Sequence, residues 1–309
     1  MRRGARARAP AIEAIAGLAQ RLAVLLAAGV APSAVWRHLA DGGTSAVVAA
    51  AAEAASEGEN VAAAIARASA HAQPAERAAW SALAAMWFVA VESGAPLADS
   101  LRSTADAFRS LAQTERDLDV ALAGPTSTAR LVSVLPVIGL LFGAGMGFDI
   151  MHTLFGTVPG LACLVIGGLL MVAARLWNRA MIRRATPTDP SPGLVVDLIA
   201  VAMAGGSSGE RARAVVAEAT ERFGVSVVGA DAAESVFALA RRAGVPVAEL
   251  MHSEAERIRV DARAAGQRSA ATLAVRLMMP LALCVLPAFM LLAVAPLMIS
   301  IISSTITAM

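Results

Sequence analysis

The stretch VPGLACLVIGGLLMVAA, residues 158–174, decides the fold. It contains no charged residue, and Arg175, Arg179, Arg183 and Arg184 follow it directly. About 20 apolar residues in a helix cross the hydrocarbon of a bilayer, where a buried charge costs several kcal/mol. The stretch therefore reads as a transmembrane helix. An excess of arginine marks the cytoplasmic end of such a span.

Two further stretches have the same character. Residues 131–148 carry no charge and lie between Arg130 and Asp149; residues 277–302 carry none and follow Arg276. All 26 basic side chains of the 309-residue chain are arginines, and all fall within 1–130 or 175–276. The connection 149–157 and the tail 303–309 have none. This pattern predicts a cytoplasmic domain at 1–130 and a transmembrane hairpin at 131–176, with spans near 131–149 and 158–176. A linker and second cytoplasmic domain follow at 177–276, then a third span at 277–303, with the C-terminal tail outside the cell. Arg2, Arg3, Arg6 and Arg8 suggest the start of a signal peptide, but Glu13 and Arg21 break the apolar stretch that would have to follow. Residues 11–28 read instead as the first domain's opening amphipathic helix.

Hydrophobic residues make up 57% of the chain and charged residues 16%, too apolar for an ordinary soluble protein. Outside the spans the apolar content is largely alanine, a helix former, and no alternating run of strand formers occurs. The expected class is all-α: two homologous cytoplasmic helical bundles plus three transmembrane helices. A net charge of +2 gives no argument for a nucleic-acid partner. Cys163 and Cys284 fall in predicted spans as packing residues. The chain has no lysine, which removes P-loop and Schiff-base chemistry, so Gly205-Gly206-Ser207-Ser208-Gly209 reads as a helix connection. His38, His71, His152 and His252 show no metal-ligand spacing. The expectation is a non-enzyme without metal or cofactor.

Turn signals divide the first domain into about six helices. They lie at Gly29 and Pro32, at Asp41-Gly42-Gly43-Thr44 with Thr44 as N-cap, at Glu57-Gly58-Glu59-Asn60, at Pro74, and at Ser93-Gly94-Ala95-Pro96. The second domain is shorter, with turns at 205–209, near Gly224, and at Gly244-Val245-Pro246; 186–192 is a proline-rich linker.

An internal repeat links the two domains. Gly94-Ala95-Pro96-Leu97-Ala98-Asp99 aligns with Gly244-Val245-Pro246-Val247-Ala248-Glu249, 150 positions later. At that offset Trp87 meets Phe237, Ala90 meets Ala240, Asp106 meets Glu256 and Arg109 meets Arg259. In each copy a glycine and proline turn feeds a polar helix that leads into a span, which couples the domain mechanically to the bilayer.

The order of helical domain, two spans, second domain and final span resembles the F-type platform proteins of type II secretion, type IV pilus and tight-adherence pilus machines. The resemblance rests on Leu22-Ala23-Val24-Leu25-Leu26-Ala27-Ala28-Gly29-Val30 and on Glu92-Ser93-Gly94-Ala95-Pro96-Leu97, and covers about 16–303. The second copy departs from it, with Arg241-Arg242-Ala243-Gly244 in place of Val91-Glu92-Ser93-Gly94. What it implies is a non-enzymatic platform in the cytoplasmic (inner) membrane. Such a platform couples a hexameric secretion ATPase to pilin or pseudopilin assembly or protein export, as a homo-oligomer or with a related platform protein. The alternative class is a membrane transporter or signalling component with cytoplasmic helical domains. The partner-contact candidates are Glu92, Gly94, Pro96, Arg109, Gly244, Pro246 and Arg259. Gly139, Gly143 and Gly147, four apart, form a close-packing face for the second span, a second protomer or a pilin helix, with Ala162 and Gly168 as small partners within the second span. Asp149 is an interfacial residue or a contact for an arriving pilin.

Overall fold

The computed structural model describes residues 8–42, 45–145, 155–185, 191–276, 278–296 and 298–299. Every regular element among them is helical. In chain order they are α1 (Arg8–Ala27), α2 (Pro32–Ala40), α3 (Ala46–Glu57), α4 (Val61–Ala68), α5 (Pro74–Ser93) and α6 (Leu97–Gly145). Next come α7 (Val158–Ala185), α8 (Leu194–Ala204), α9 (Gly209–Phe223), α10 (Ala230–Ala243) and α11 (Val247–Arg276). The last run alternates between α-turns, Met278–Pro280 and Leu286–Phe289, and π-turns, Leu281–Val285 and Met290–Val294.

The helices stop where the sequence supplies stop signals. Gly58 caps α3 in the left-handed region at φ 73°, and the Asn60 side chain accepts from the Ala63 N–H at 2.9 Å to start α4. Pro32 and Pro74 occupy first-turn positions, where the missing N–H is no loss. Ser45 is the N-cap residue of α3; Thr44, expected there, lies outside the described residues.

The chain divides into two compact units. The first comprises Met1–Asp117 and Thr188–Ala265. The sequence reading keeps 1–130 and 177–276 as separate domains, whereas the structure packs these segments around one core. The reason is apolar surface. On α5, residues 82–90 are all buried, and on α8 so are 194–202. A helix apolar on all sides must be surrounded by others, so α5 packs against α1, α4, α8 and α9 together. Phe88 of α5 meets Phe223 of α9 edge-on at 5.7 Å, and Trp36 of α2 meets Trp87 of α5 at 5.2 Å. Helix α1 contributes Ile12, Ile15, Ala16, Ala19, Leu22 and Ala23, the i, i+3, i+4, i+7 stripe of an amphipathic helix.

The internal correspondence extends beyond the turn that revealed it. Helices α1 and α8 end at Ala27 and Ala204, with left-handed glycines Gly29 (φ 87°) and Gly206 (φ 83°) next. The following helices start at Pro32 and Gly209. All three landmarks are 177 positions apart. In both turns the second N–H after the helix bonds back three residues and the next bonds back five. The offset then falls to 150 at Gly94 and Gly244. The 27-residue difference corresponds to α3, α4 and their turns, which have no counterpart between α9 and α10.

The second unit comprises Leu118–Pro187 and Gly266–Met309. Its burial pattern is inverted. Val134, Ile138, Leu141, Leu161, Val165, Ile166, Leu169, Val172 and Leu176 are exposed, while Ala174 and Cys284 are buried. A large apolar surface left open over this length is what lipid contact requires. Three helices among the described residues are long and apolar enough to cross a membrane: Ala9–Ala27, Val158–Met181 and Val247–Val294. The second coincides with the expected span at 158–176, and the apolar end of the third with the span expected from 277. Ala9–Ala27 qualifies by composition but turns its apolar stripe into the core of the first unit. The span expected at 131–149 is helical to Gly145 as the end of α6; the rest lies outside the described residues.

Helix α7 packs on the last run. A β-carbon on Gly167 would lie 2.5 Å from Leu292 Cγ, so Leu292 sits directly on the glycine backbone. Gly168, expected as the small partner, faces open space, and Ala162 is exposed. Of the expected close-packing face, Gly139 and Gly143 lie on α6, while Gly147, like Asp149, falls outside the described residues.

Candidate functional site: two glycine turns and their charged helices

The two turns have the same backbone. Gly94 has φ 69° and ψ 23°, and Gly244 has φ 68° and ψ 26°, left-handed values that only glycine adopts without strain. Gly94 donates to the Val91 carbonyl at 3.3 Å and Ala95 to the Ala90 carbonyl at 2.9 Å; Gly244 donates to the Ala240 carbonyl at 2.8 Å. Pro96 and Pro246 then lead into α6 and α11, three residues after their glycines in both copies. The burial pattern repeats as well: Trp87 and Phe237, Ala90 and Ala240, Leu101 and Met251, Ala105 and Ala255 are all buried. Glu92 is exposed, with no ion-pair partner among the described residues.

Arg109 and Arg259 occupy matching positions in unequal surroundings. Each pairs with an acid three residues earlier, Arg109 with Asp106 at 2.6 Å and Arg259 with Glu256 at 2.9 Å. The Arg109 side chain is 47% exposed and that of Arg259 only 12%. Arg259 reaches into the core and donates through Nη1 to Asp197, the single acid of α8, which is itself 4% exposed. His252 Nδ1 lies 3.1 Å from the other Asp197 oxygen. Burial disfavours the Arg259 charge, but the Asp197 and Glu256 carboxylates outweigh it and hold the guanidinium above its ordinary pKa. The sequence reading offers both arginines as partner contacts. In the structure Arg259 is committed to an internal ion pair, and Arg109 keeps half its surface open.

A second polar group lies nearer the ends of the first unit's helices. Asp117 on α6 accepts from Gln113 Nε2 at 2.8 Å and from Arg263 Nη2 of α11 at 2.7 Å. Arg116 donates to Glu13 of α1 at 2.5 Å. Asp117 and Arg263 sit on different helices, α6 and α11. Spacing along one helix cannot show that they meet, because they are 146 positions apart. Asp197 does carry a signal, as a lone carboxylate within the apolar run LVVDLIAVAMA. No three His, Cys, Asp or Glu side chains gather at metal-ligand distance among the described residues.

No curated protein and no solved structure gives a significant match to the chain. A family model does. Residues 18–145, from the middle of α1 through the Gly94 turn to the end of α6, match the Type II secretion system (T2SS), protein F model.

Proposed function

We propose that the protein is a non-enzymatic membrane platform of a type IV-like pilus or type II secretion machine, of the tight-adherence kind. It lies in the inner membrane with both copies cytoplasmic and its C-terminal tail outside. In this reading 188–265 is a second, shortened F-type domain packed against the first. The observation that carries the reading is the F-domain match, joined to the same glycine turn at Gly94 and Gly244. Each turn opens a long helix that continues towards an apolar stretch. Such helices transmit a displacement of the cytoplasmic unit to the bilayer. The partners in this reading are a hexameric secretion ATPase, a pilin or pseudopilin, and further platform subunits. Glu92, Gly94, Pro96, Gly244 and Pro246 shape the elbows through which force passes, and Gly139, Gly143 and Gly147 provide a close-packing face within the membrane.

Deletion of the gene tests the reading. It should abolish surface filaments or secreted protein, and the tagged protein should copurify with a hexameric ATPase. Reporter fusions near residues 60 and 230 should both report the cytoplasm. Normal filaments and secretion in the deletion strain would refute the platform role.

A further inference from the structure

The two units differ in what balances their arginines. The second unit, Leu118–Pro187 and Gly266–Met309, has seven arginines against two acids, Asp119 and Asp149, whereas the first has 19 arginines against 22 acids. The chain's net charge of +2 therefore conceals a basic second unit. On α11, Arg257, Arg259 and Arg263 of the first unit all pair with carboxylates. Arg268 and Arg276 of the second are exposed, with no carboxylate partner among the described residues. Arg175 and Arg179 on α7 are exposed and equally unpaired, and 150–188 contains no acid.

Helix α7 has two distinct faces. Ala174 packs with Cys284 and Val285, and Gly167 with Leu292, so the last run passes α7 antiparallel and begins at its arginine end. Met278–Pro280, two positions after Arg276, also packs on α7. On the other face Val165, Leu169, Val172 and Leu176 are exposed at the i, i+4, i+7, i+11 spacing of one stripe. Arg175, Arg179 and Arg183 continue that stripe, and Trp177, 44% exposed, sits beside it. Like charges four apart on a helix repel, so the spacing is unfavourable until an anion lies across it.

We propose that this end of the second unit binds an anionic phospholipid of the phosphatidylglycerol type. Arg175 and Arg179 hold its phosphodiester, Arg276 adds charge from the neighbouring helix, and its acyl chains lie along Val165, Leu169, Val172 and Leu176. A guanidinium forks onto two phosphate oxygens, and basic clusters next to a span attract anionic headgroups. Tryptophan favours the headgroup level, where its ring is half in hydrocarbon and its N–H is wet. A soluble anion would use the arginines and leave the apolar stripe bare; a phospholipid uses both. The inference rests on α7 spanning the bilayer and is independent of the pilus or secretion role.

Trp177 is the reporter for the test, since Trp36, Trp80 and Trp87 are buried in the first unit. The full chain is reconstituted in phosphatidylcholine vesicles holding a small fraction of lipid with brominated acyl chains, which quench tryptophan on contact. That lipid is phosphatidylglycerol in one series and phosphatidylcholine in the other. Phosphatidylglycerol should associate about tenfold more strongly, each arginine near an anionic headgroup contributing about fivefold at most. Arg175→Gln with Arg179→Gln should bring the ratio to within about twofold of unity. Arg241→Gln with Arg242→Gln, which removes the same charge from α10, should leave it unchanged. Equal quenching by the two lipids in the unaltered chain would overturn the inference without any variant. So would a preference that survives the loss of Arg175 and Arg179. A preference abolished by millimolar sodium phosphate at constant ionic strength would mark a free-anion site and overturn it too. Alkaline carbonate should leave the chain in the vesicles. Release by carbonate would overturn the spanning reading together with the inference, whereas an embedded chain without lipid preference overturns the inference alone.

Discussion

Gly205, at the end of α8, lies against the backbone of the Ser93–Ala95 turn. A β-carbon there would stand 2.9 Å from the Ala95 nitrogen and the Ser93 carbonyl carbon, and closer still to the Ser93 oxygen. The glycine of one copy is thus the floor on which the other copy's elbow rests, and backbone cannot swing aside as a side chain can. Gly205→Ala should destabilise the protein by about 1–3 kcal/mol through overpacking. Gly17, within α1, has only an arginine tip 4.0 Å from its would-be β-carbon. Gly17→Ala should therefore stabilise by about 0.5–1 kcal/mol through helix propensity. Thermal unfolding of the two variants in one detergent should shift in opposite directions.

The Asp197–Arg259 pair makes the second prediction. Both side chains are nearly buried. Removing Asp197 leaves the Arg259 guanidinium in the core with only the exposed Glu256 carboxylate beside it, at a cost of up to about 3–5 kcal/mol, whereas replacing both with apolar groups of similar size is often neutral. Asp197→Ala should unfold the first unit readily, and Asp197→Leu combined with Arg259→Met should recover much of the loss. Arg109→Ala, at the matching exposed position, should change stability by no more than about 0.5 kcal/mol. Denaturant midpoints of the four proteins check the ordering.

The residues that could be read from sequence share a local cause. Gly29, Gly58, Gly94, Gly224 and Gly244 announce left-handed caps through their own backbone preference, and Pro32 and Pro74 announce helix starts through their missing N–H. Charge-free runs announce spans because hydrocarbon excludes arginine. What stayed hidden depends on partners distant in the chain. No spacing rule reveals that α8 buries its circumference against α5, α9 and α10, so the two segments read as separate domains although they share one core. Ala9–Ala27 shows the same limit from the other side: its composition admits either bilayer or core, and only the packing of Leu22 and Ile15 decides. Arg109 and Arg259 look alike in sequence because the acid that holds Arg259 in the core, Asp197, lies 62 positions away.

Acid stability should depend on α11. Glu254 accepts from Arg257, and this bond, which outweighs the small desolvation, holds its carboxyl below the ordinary value of 4.5. A carboxylate with a depressed folded pKa contributes stability above its unfolded value and loses it as pH falls through the folded one. The contribution should be constant from neutral pH down to about 4.5 and vanish below it. In Glu254→Gln the melting temperature should fall less between pH 5 and pH 3 than in the unaltered protein. A parallel decline in the two would remove Glu254 from the explanation.

The Asp117–Arg263 pair joins α6 to α11 at the last turns of the first unit. These helices carry the two glycine elbows, so the ion pair ties together the two elements that leave this unit towards apolar sequence. Its side chains are partly exposed, at 26% and 40%, which limits its static contribution to about 1 kcal/mol or less. A role in transmission does not scale with that figure, because a clasp need only keep two helices moving together. Asp117→Arg should therefore lower stability slightly and assembly or secretion strongly, and Arg263→Asp should do the same. The exchanged pair, Asp117→Arg with Arg263→Asp, restores opposite charges across the same gap and should recover function in the deletion strain. Equal loss in the single and exchanged variants, with normal protein levels, would show that side-chain identity rather than pairing matters at these positions.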